Sequence, residues 1–227
     1  GLAFMEGRHV VSLYTNQFGA ARYMGVGYAQ RYVGAGAMKL DASDIDKTDE
    51  FANVTGVFRV TDLTLILGAA AKVMPQFGMG GAVKYYSQAL PSNSGRGATG
   101  DIGVLFATDS GVFRLGAVCR NVLGSLEYDS GHTDAFDRSF GAGVAVRPMD
   151  NLLLAADVIW KDGMDARIGG EFRLGKFAVR AGGGYRDEKL SFSAGAGFAM
   201  PFFSVDYAYQ THSILPDSHR LSLCVKF

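Results

Sequence analysis

From Leu152 onward the chain alternates apolar and polar residues with a period of two. Leu152, Leu154, Ala156, Val158 and Trp160 share one side of an extended segment, with Asp157 and Lys161 on the other. Leu190, Phe192, Ala194, Ala196 and Phe198 alternate with Ser191, Ser193, Gly195 and Gly197, and Phe203, Val205, Tyr207 and Tyr209 with Ser204, Asp206 and Gln210. Successive side chains of a strand point to opposite faces, so each segment has one apolar and one polar or small flank. A slip of one residue would exchange the two flanks, so the register is strongly specified. The same pattern recurs along the whole chain in runs of about ten residues, and no 3.6-residue repeat competes with it. It predicts strands over 9–15, 20–29, 31–40, 59–73, 77–88, 98–107, 112–122, 137–147, 151–161, 164–174, 177–186, 189–199, 201–211 and 218–227.

The connections fall into two classes. Those after every second strand are tight, as in "AQR", "MPQ", "RPMD", "LGK" and "MP", whereas the others include "DASDIDKTDEFANVTGVF", "ALPSNSGRG", "LGSLEYDSGHTDAF" and "THSILPDSH". Short turns at one rim and long polar loops at the other are the asymmetry of an outer-membrane barrel, with short periplasmic turns and longer extracellular loops. The expected fold is therefore all-β: one domain over 1–227, a closed antiparallel transmembrane barrel of about 14 strands, with both termini at the periplasmic rim. Tyr28, Tyr85, Trp160, Tyr185, Tyr209 and Phe227 would form its interfacial girdles. A β-sandwich or lipocalin-like barrel shows the same alternation, its apolar flank meeting a closed core. Strands so many and so even would leave long exposed edges in an open sheet, which favours the closed membrane barrel.

Composition adds less. Twenty-two basic residues balance 22 acidic ones, so no global charge points to nucleic acid. No apolar run reaches the ~18 residues of a spanning helix, a limit that does not apply to strands. Gly (31) far outnumbers Pro (5), and much of the Gly lies inside apolar stretches, as in "GAG" at 34–36, "GMG" at 78–80, "GGG" at 182–184 and "GAG" at 195–197. Gly within a strand marks a bulge or a place where something approaches the backbone closely; no dinucleotide fingerprint is formed, because no helix follows. Cys119 and Cys224 fall on opposite walls and are expected as free thiols. The chain opens at "GLAFMEG" with neither an initiator Met nor a signal segment, and its start is read as trimmed.

Summed over the predicted inward positions, basic side chains exceed acidic ones by about six, with compensating acids in the loops at Asp41, Asp44, Asp46, Asp49 and Glu50. A basic lumen draws anionic head groups inward, and Arg120, Arg180 and Arg186 are the candidate ligand-binding residues. The competing reading is that such Arg side chains belong to ion-pair ladders that brace the wall. His9, His132, His212 and His219 are dispersed without metal-ligand spacing, and no nucleophile motif occurs. No catalytic residue, metal site or cofactor is expected.

Several ordered segments carry a resemblance. "FRVTDLTLILGAAAKVMPQFGMGGAVKYYSQAL", followed by "DIGVLF", "GAVCRNVLG" and the closing "DYAYQTHSILPDSHRLSLCVKF", resembles the fatty-acid-transporter-like outer-membrane proteins, which include the FadL transporters and the PorV-type proteins of type IX secretion. The resemblance implies a fourteen-stranded barrel with an N-terminal plug ending near an "NPAGLA"-like stretch, inside which this chain begins. It implies passage of small hydrophobic or amphipathic molecules such as long-chain fatty acids across the bacterial outer membrane, without enzymatic activity. The alternative it carries is a PorV-type shuttle that binds secreted cargo. A kink in the third strand of the FadL transporters opens a lateral gate, and Gly34 and Gly36 fall on that strand here. Leu221, Leu223, Val225 and the terminal Phe227 match the signal read by the barrel-assembly machinery. The implied partners are thus outer-membrane lipid, that machinery, a hydrophobic small molecule, and secretion-system or surface proteins.

Overall fold

In the computed structural model all residues are described except Ala52, Ser92 and Ser213 and the side chains of Asp44 and Ile45. A short 3-10 turn, Leu2–Phe4, precedes sixteen strands: β1 (Arg8–Gln17), β2 (Ala21–Gln30), β3 (Val33–Thr48), β4 (Val54–Met74), β5 (Phe77–Leu90), β6 (Asn93–Ala107), β7 (Phe113–Arg120), β8 (Gly124–Tyr128), β9 (Thr133–Ala135), β10 (Ser139–Met149), β11 (Leu152–Trp160), β12 (Met164–Leu174), β13 (Phe177–Arg186), β14 (Lys189–Ala199), β15 (Phe203–Gln210) and β16 (Ser218–Lys226). Each pairs antiparallel with its neighbours, and β16 closes on β1 with Val10 opposite Val225 and Tyr14 opposite Leu221. The seam is tied at the short-turn rim by Arg8 and Phe227, whose amides and carbonyls bond reciprocally at 3.2 and 2.9 Å.

Two staves of the barrel are interrupted. β7 pairs with β6 along 102–107 and β8 with the same strand along 95–99, so β7 and β8 form one broken stave across 121–123. β10 pairs with β7 and β9 with β8, leaving a matching break at 136–138. Joined in this way, the strands make a closed barrel of 14 staves, the expected number. Closure satisfies the strand edges internally, which is what hydrocarbon demands of a spanning sheet.

Burial is inverted relative to a water-soluble domain. Among the described residues only Ala3 and Ala107 are buried hydrophobics, whereas Thr15, Thr64, Lys84, Thr99 and Ser139 are buried. Large apolar side chains stand outside: Leu67 is 68% exposed, Ile168 70% and Phe192 63%. A sandwich or a lipocalin-like barrel would enclose those groups, so this band, wrapped by Tyr85, Trp160 and Tyr185, identifies the fold as a transmembrane barrel. Cys119 on β7 faces outward and Cys224 on β16 inward; both are free thiols.

The long-loop rim differs from the sequence reading. "DASDIDKTDEFANVTGVF" is mostly paired strand: β3 runs to Thr48 and β4 starts at Val54, with register shifts at 42–45 and 47–48. Asp41 and Asp46 therefore lie on β3 rather than in a loop, while Asp49 and Glu50 lie at the tip; the side chain of Asp44 is outside the described residues. Likewise β5 and β6 extend to Leu90 and from Asn93, and 123–136 carries the β8–β9 hairpin. Above a membrane, backbone pairing continues in water while the outward flank no longer has to be apolar. A hydropathy pattern therefore ends strands at the membrane rather than at their last hydrogen bond.

Candidate functional site: the barrel lumen

The inward flank encloses two neighbouring chambers. The larger, about 1130 Å³, is bounded by β1–β7, β10 and β11 and is walled largely by Gly and Ala, including Gly27, Gly36, Gly80, Gly103, Gly116 and Ala145. The smaller, about 500 Å³, lies against β11–β16. Ala155, Asp157 and Arg167 border both. A wall of residues without bulky side chains widens the bore without altering the strands outside it.

Several of the glycines have an identifiable occupant. The Leu2–Phe4 turn sits inside the short-turn end, where the Leu2 side chain would contact a Cβ at Gly34 at 3.4 Å, and a Cβ at Gly78 would meet Ala3 and Phe4 at 2.9 and 2.8 Å. The Leu2 carbonyl accepts from the Tyr32 amide at 3.1 Å, and Lys72 lies 4.8 Å from the Phe4 ring centre. Gly34 and Gly36, the lateral-gate candidates, lie where β3 is paired residue for residue with both β2 and β4. The register of β3 is unshifted on both sides there, and the pairing is interrupted elsewhere, in the β7/β8 and β9/β10 staves.

That break has its own polar fastening. Lys84, buried on the inward flank of β5, places Nζ 2.7 Å from Asp101 Oδ1 and donates to Asn121 Oδ1 at 2.7 Å. The Asn121 amide donates to Asp101 at 3.0 Å, its side-chain amide to the Asp137 carbonyl at 2.9 Å, and Thr99 donates to the Leu123 carbonyl at 2.7 Å. Asn121 itself adopts φ of 56°, a left-handed conformation that Asn tolerates better than most residues. Side chains of Lys84, Asp101 and Asn121 thus replace part of the ladder that the interruption removes, as a buried backbone requires.

The three candidate arginines separate. Arg180 donates from Nε to Glu171 and from Nη1 to Asp206, both at 2.7 Å, while Arg173 also reaches Glu171 at 2.6 Å. Arg180 is on β13 and Asp206 on β15, so the pair crosses β14. Gly197 leaves the crossing open, because a Cβ there would collide with Asp206 and stand 2.9 Å from Arg180 Nη1. Arg186 is at the long-loop rim, 63% exposed and 3.3 Å from Asp187. Arg120 borders the larger chamber and, like Arg114, forms no ion pair among the described residues. Arg180 belongs to an ion-pair ladder, whereas Arg114 and Arg120 border the larger chamber outside it. The Lys84 fastening escaped sequence reasoning because its members come from two strands and the two interruptions at 121–123 and 136–138. The inward parity of Glu171, Arg180 and Asp206 was the signal for the ladder.

The histidines stay apart from one another in function: His9 Nδ1 lies 3.7 Å from Cys224 Sγ, His132 bonds Asp134, and His219 bonds the Tyr207 hydroxyl at 2.8 Å. No group of three metal-ligating side chains occurs among the described residues.

No family model matches the chain, and no curated protein matches it. Solved structures do. A FadL homologue from Pseudomonas aeruginosa superposes with a TM-score of 0.67 at 11% identity, covering 100% of this chain and 92% of its own. The toluene transporter TodX of P. putida gives 0.63 at 13% identity, covering 97% and 89%. A deltaS2S3 mutant of the TodX monoaromatic hydrocarbon channel gives 0.66 at 14%, covering 99% and 91%. At such identities the likeness is one of fold, and the fold of this chain is that of the FadL-type barrels.

Proposed function

We propose that the chain is a bacterial outer-membrane barrel that passes small hydrophobic or amphipathic molecules through its lumen. The observation that carries this is the larger chamber: a bore of about 1130 Å³ with a bare Gly and Ala wall and few unpaired charges. Such a wall offers an apolar solute room beside small side chains and an anionic one Arg120 and Arg114. The fold likeness to the toluene transporter and to the FadL homologue supports the same class of cargo. Within that class, long-chain fatty acids suit the chamber, with the carboxylate at Arg120 and the acyl chain along the small-residue wall. The broken staves at 121–123 and 136–138 offer a sideways path to the bilayer. We assign no enzymatic role, and we read Leu221, Leu223, Val225 and Phe227, all on the outer flank of the seam, as the segment presented to the assembly machinery.

The test is uptake by liposomes bearing the purified protein, with toluene and labelled oleate as separate solutes. Uptake of either above protein-free liposomes supports the proposal, and a larger oleate rate reduced several-fold by Arg120→Gln supports the fatty-acid reading. Uptake of neither overturns it. One observation favours a second reading as a cargo-holding surface barrel: the projecting β3–β4 hairpin presents Phe51, Val54 and Val57, which are 83%, 60% and 66% exposed. Absence of uptake together with a co-purifying secreted protein, released by Phe51→Asp, is the outcome that reading requires.

A further inference from the structure

The outward flank of the strands carries few cations, and those at the long-loop rim are not evenly placed. Arg22 on β2, Lys39 on β3, Arg59 on β4 and Arg96 on β6 all alternate with lipid-facing residues, and all are exposed. On β10–β16 the corresponding outward positions are Phe140, Trp160, Met164, Tyr185, Leu190, Tyr209 and His219, with no Lys or Arg among them. One arc of the rim is thus cationic where the rest is aromatic or apolar.

Three of these cations form a cluster. Arg22 is the cross-strand partner of Asp41, whose carboxylate lies 3.6 Å from Lys39 Nζ and 3.5 Å from Arg59 Nε. Lys39 and Arg59 keep 45% and 67% of their side chains exposed, against 22% for Asp41. The cluster therefore presents its cations outward and holds the more buried Asp41 carboxylate between Lys39 and Arg59. Lys39 stands in the same cross-strand row as Met24 and Leu63, at the upper edge of the apolar band, and Asp41 and Arg59 follow above it. At about 3.3 Å per residue the cluster spans roughly 13 Å of height. Directly below lie Val26 and Leu65, with exposed side chains. Cations at that depth, set over an apolar stripe, have the chemistry of a lipid site: phosphates above and acyl chains below.

We propose that the outward face of β2–β4 binds a membrane lipid whose head group carries two phosphates, with Arg22, Lys39 and Arg59 as the phosphate partners. Three exposed cations set over an apolar stripe match such a head group better than a zwitterionic one. The inference rests on the transmembrane fold and not on what the lumen carries, so it stands or falls separately from transport.

The experiment is native mass spectrometry of the delipidated protein in detergent, titrated with a bisphosphorylated disaccharide lipid and, separately, with phosphatidylcholine. Cations near a membrane surface each strengthen anionic-lipid binding about fivefold, so the triple variant R22Q/K39Q/R59Q is expected to bind the bisphosphorylated lipid roughly a hundredfold more weakly. K176Q, at the opposite rim, is expected to bind like the unaltered protein. D41N, which removes the carboxylate paired with Lys39 and Arg59, should bind more tightly, and this keeps the proposal testable if the triple variant fails to fold. Equal retention by the triple variant, weakening by D41N, an equal loss in K176Q, or equal binding of phosphatidylcholine would each overturn it. So would full displacement by millimolar inorganic phosphate, which would mark a site for free phosphate and not for a lipid.

Discussion

Arg180 shows how much one side chain can organise in a wall only one residue thick. Its guanidinium ties β12 to β15 through Glu171 and Asp206, and Gly197 on the intervening strand clears its path. Replacing it by Met leaves the Asp206 carboxylate without its ion-pair partner and Glu171 with Arg173 alone. Because the guanidinium is 37% exposed, water screens part of that cost, and a loss of about 1 kcal/mol is expected. Arg180→Lys should recover little, since a point cation cannot serve two carboxylates as a planar fork does. The check is the temperature at which the folded band disappears in heat-modifiable electrophoresis: Arg180→Met and Arg180→Lys should both fall, while Arg120→Met should not. Equal stability of all three would show that the ladder braces nothing. The sequence allowed both a ligand role and a ladder role for Arg120 and Arg180; inward parity was legible, but which cation found a partner was not. That depended on Glu171 lying opposite Arg180 across the sheet and on the gap at Gly197, both matters of register between strands distant in sequence.

At the scale of elements, the membrane-embedded part of each strand was legible because lipid enforces a strict period of two, and β10–β16 match their predicted bounds closely. What lay above the membrane was not, because water accepts either flank, and so the tall β3–β4 hairpin and the β8–β9 hairpin were taken for loops. One true loop has a fastening that pH should release. Asp217, between β15 and β16, is held below the usual carboxylate range first by the Tyr209 hydroxyl and then by the His212 amide, which donates at 3.2 Å. Its pKa is lower folded than unfolded, so the stabilising contribution is full above the ordinary Asp value of about 3.9 and is lost as pH falls through the depressed folded value. The His212 amide resonance should therefore move with a midpoint below 3.9, and Asp217→Asn should produce much of that displacement at neutral pH. A midpoint at or above the ordinary value would mean that the carboxylate is not held as described.

For the whole molecule the decisive relation is between the charge that is tied up and the charge that is free. Several inward ions are spent on the wall: Lys84 on Asp101, Arg167 on Asp165, and Arg173 and Arg180 on Glu171 and Asp206. In the larger chamber, Arg114 and Arg120 are left as lumen cations with no ion pair among the described residues, while Asp157 lies between β10 and β12, over Gly143 and across from Arg167. An ion crossing the bore thus meets a field that is positive on balance, although the chain as a whole carries no net charge. Lining charges set selectivity in barrels, whereas the lipid face sets insertion. In a planar bilayer under a potassium chloride gradient, the reversal potential should take the sign of chloride preference, and R114E/R120E should carry it toward or past zero. The same pair of substitutions should leave heat-modifiability unchanged, since neither side chain holds a partner in the wall. A reversal potential indifferent to both positions would mean that ions, and by extension the head groups of amphipathic solutes, do not travel through the chamber these residues line.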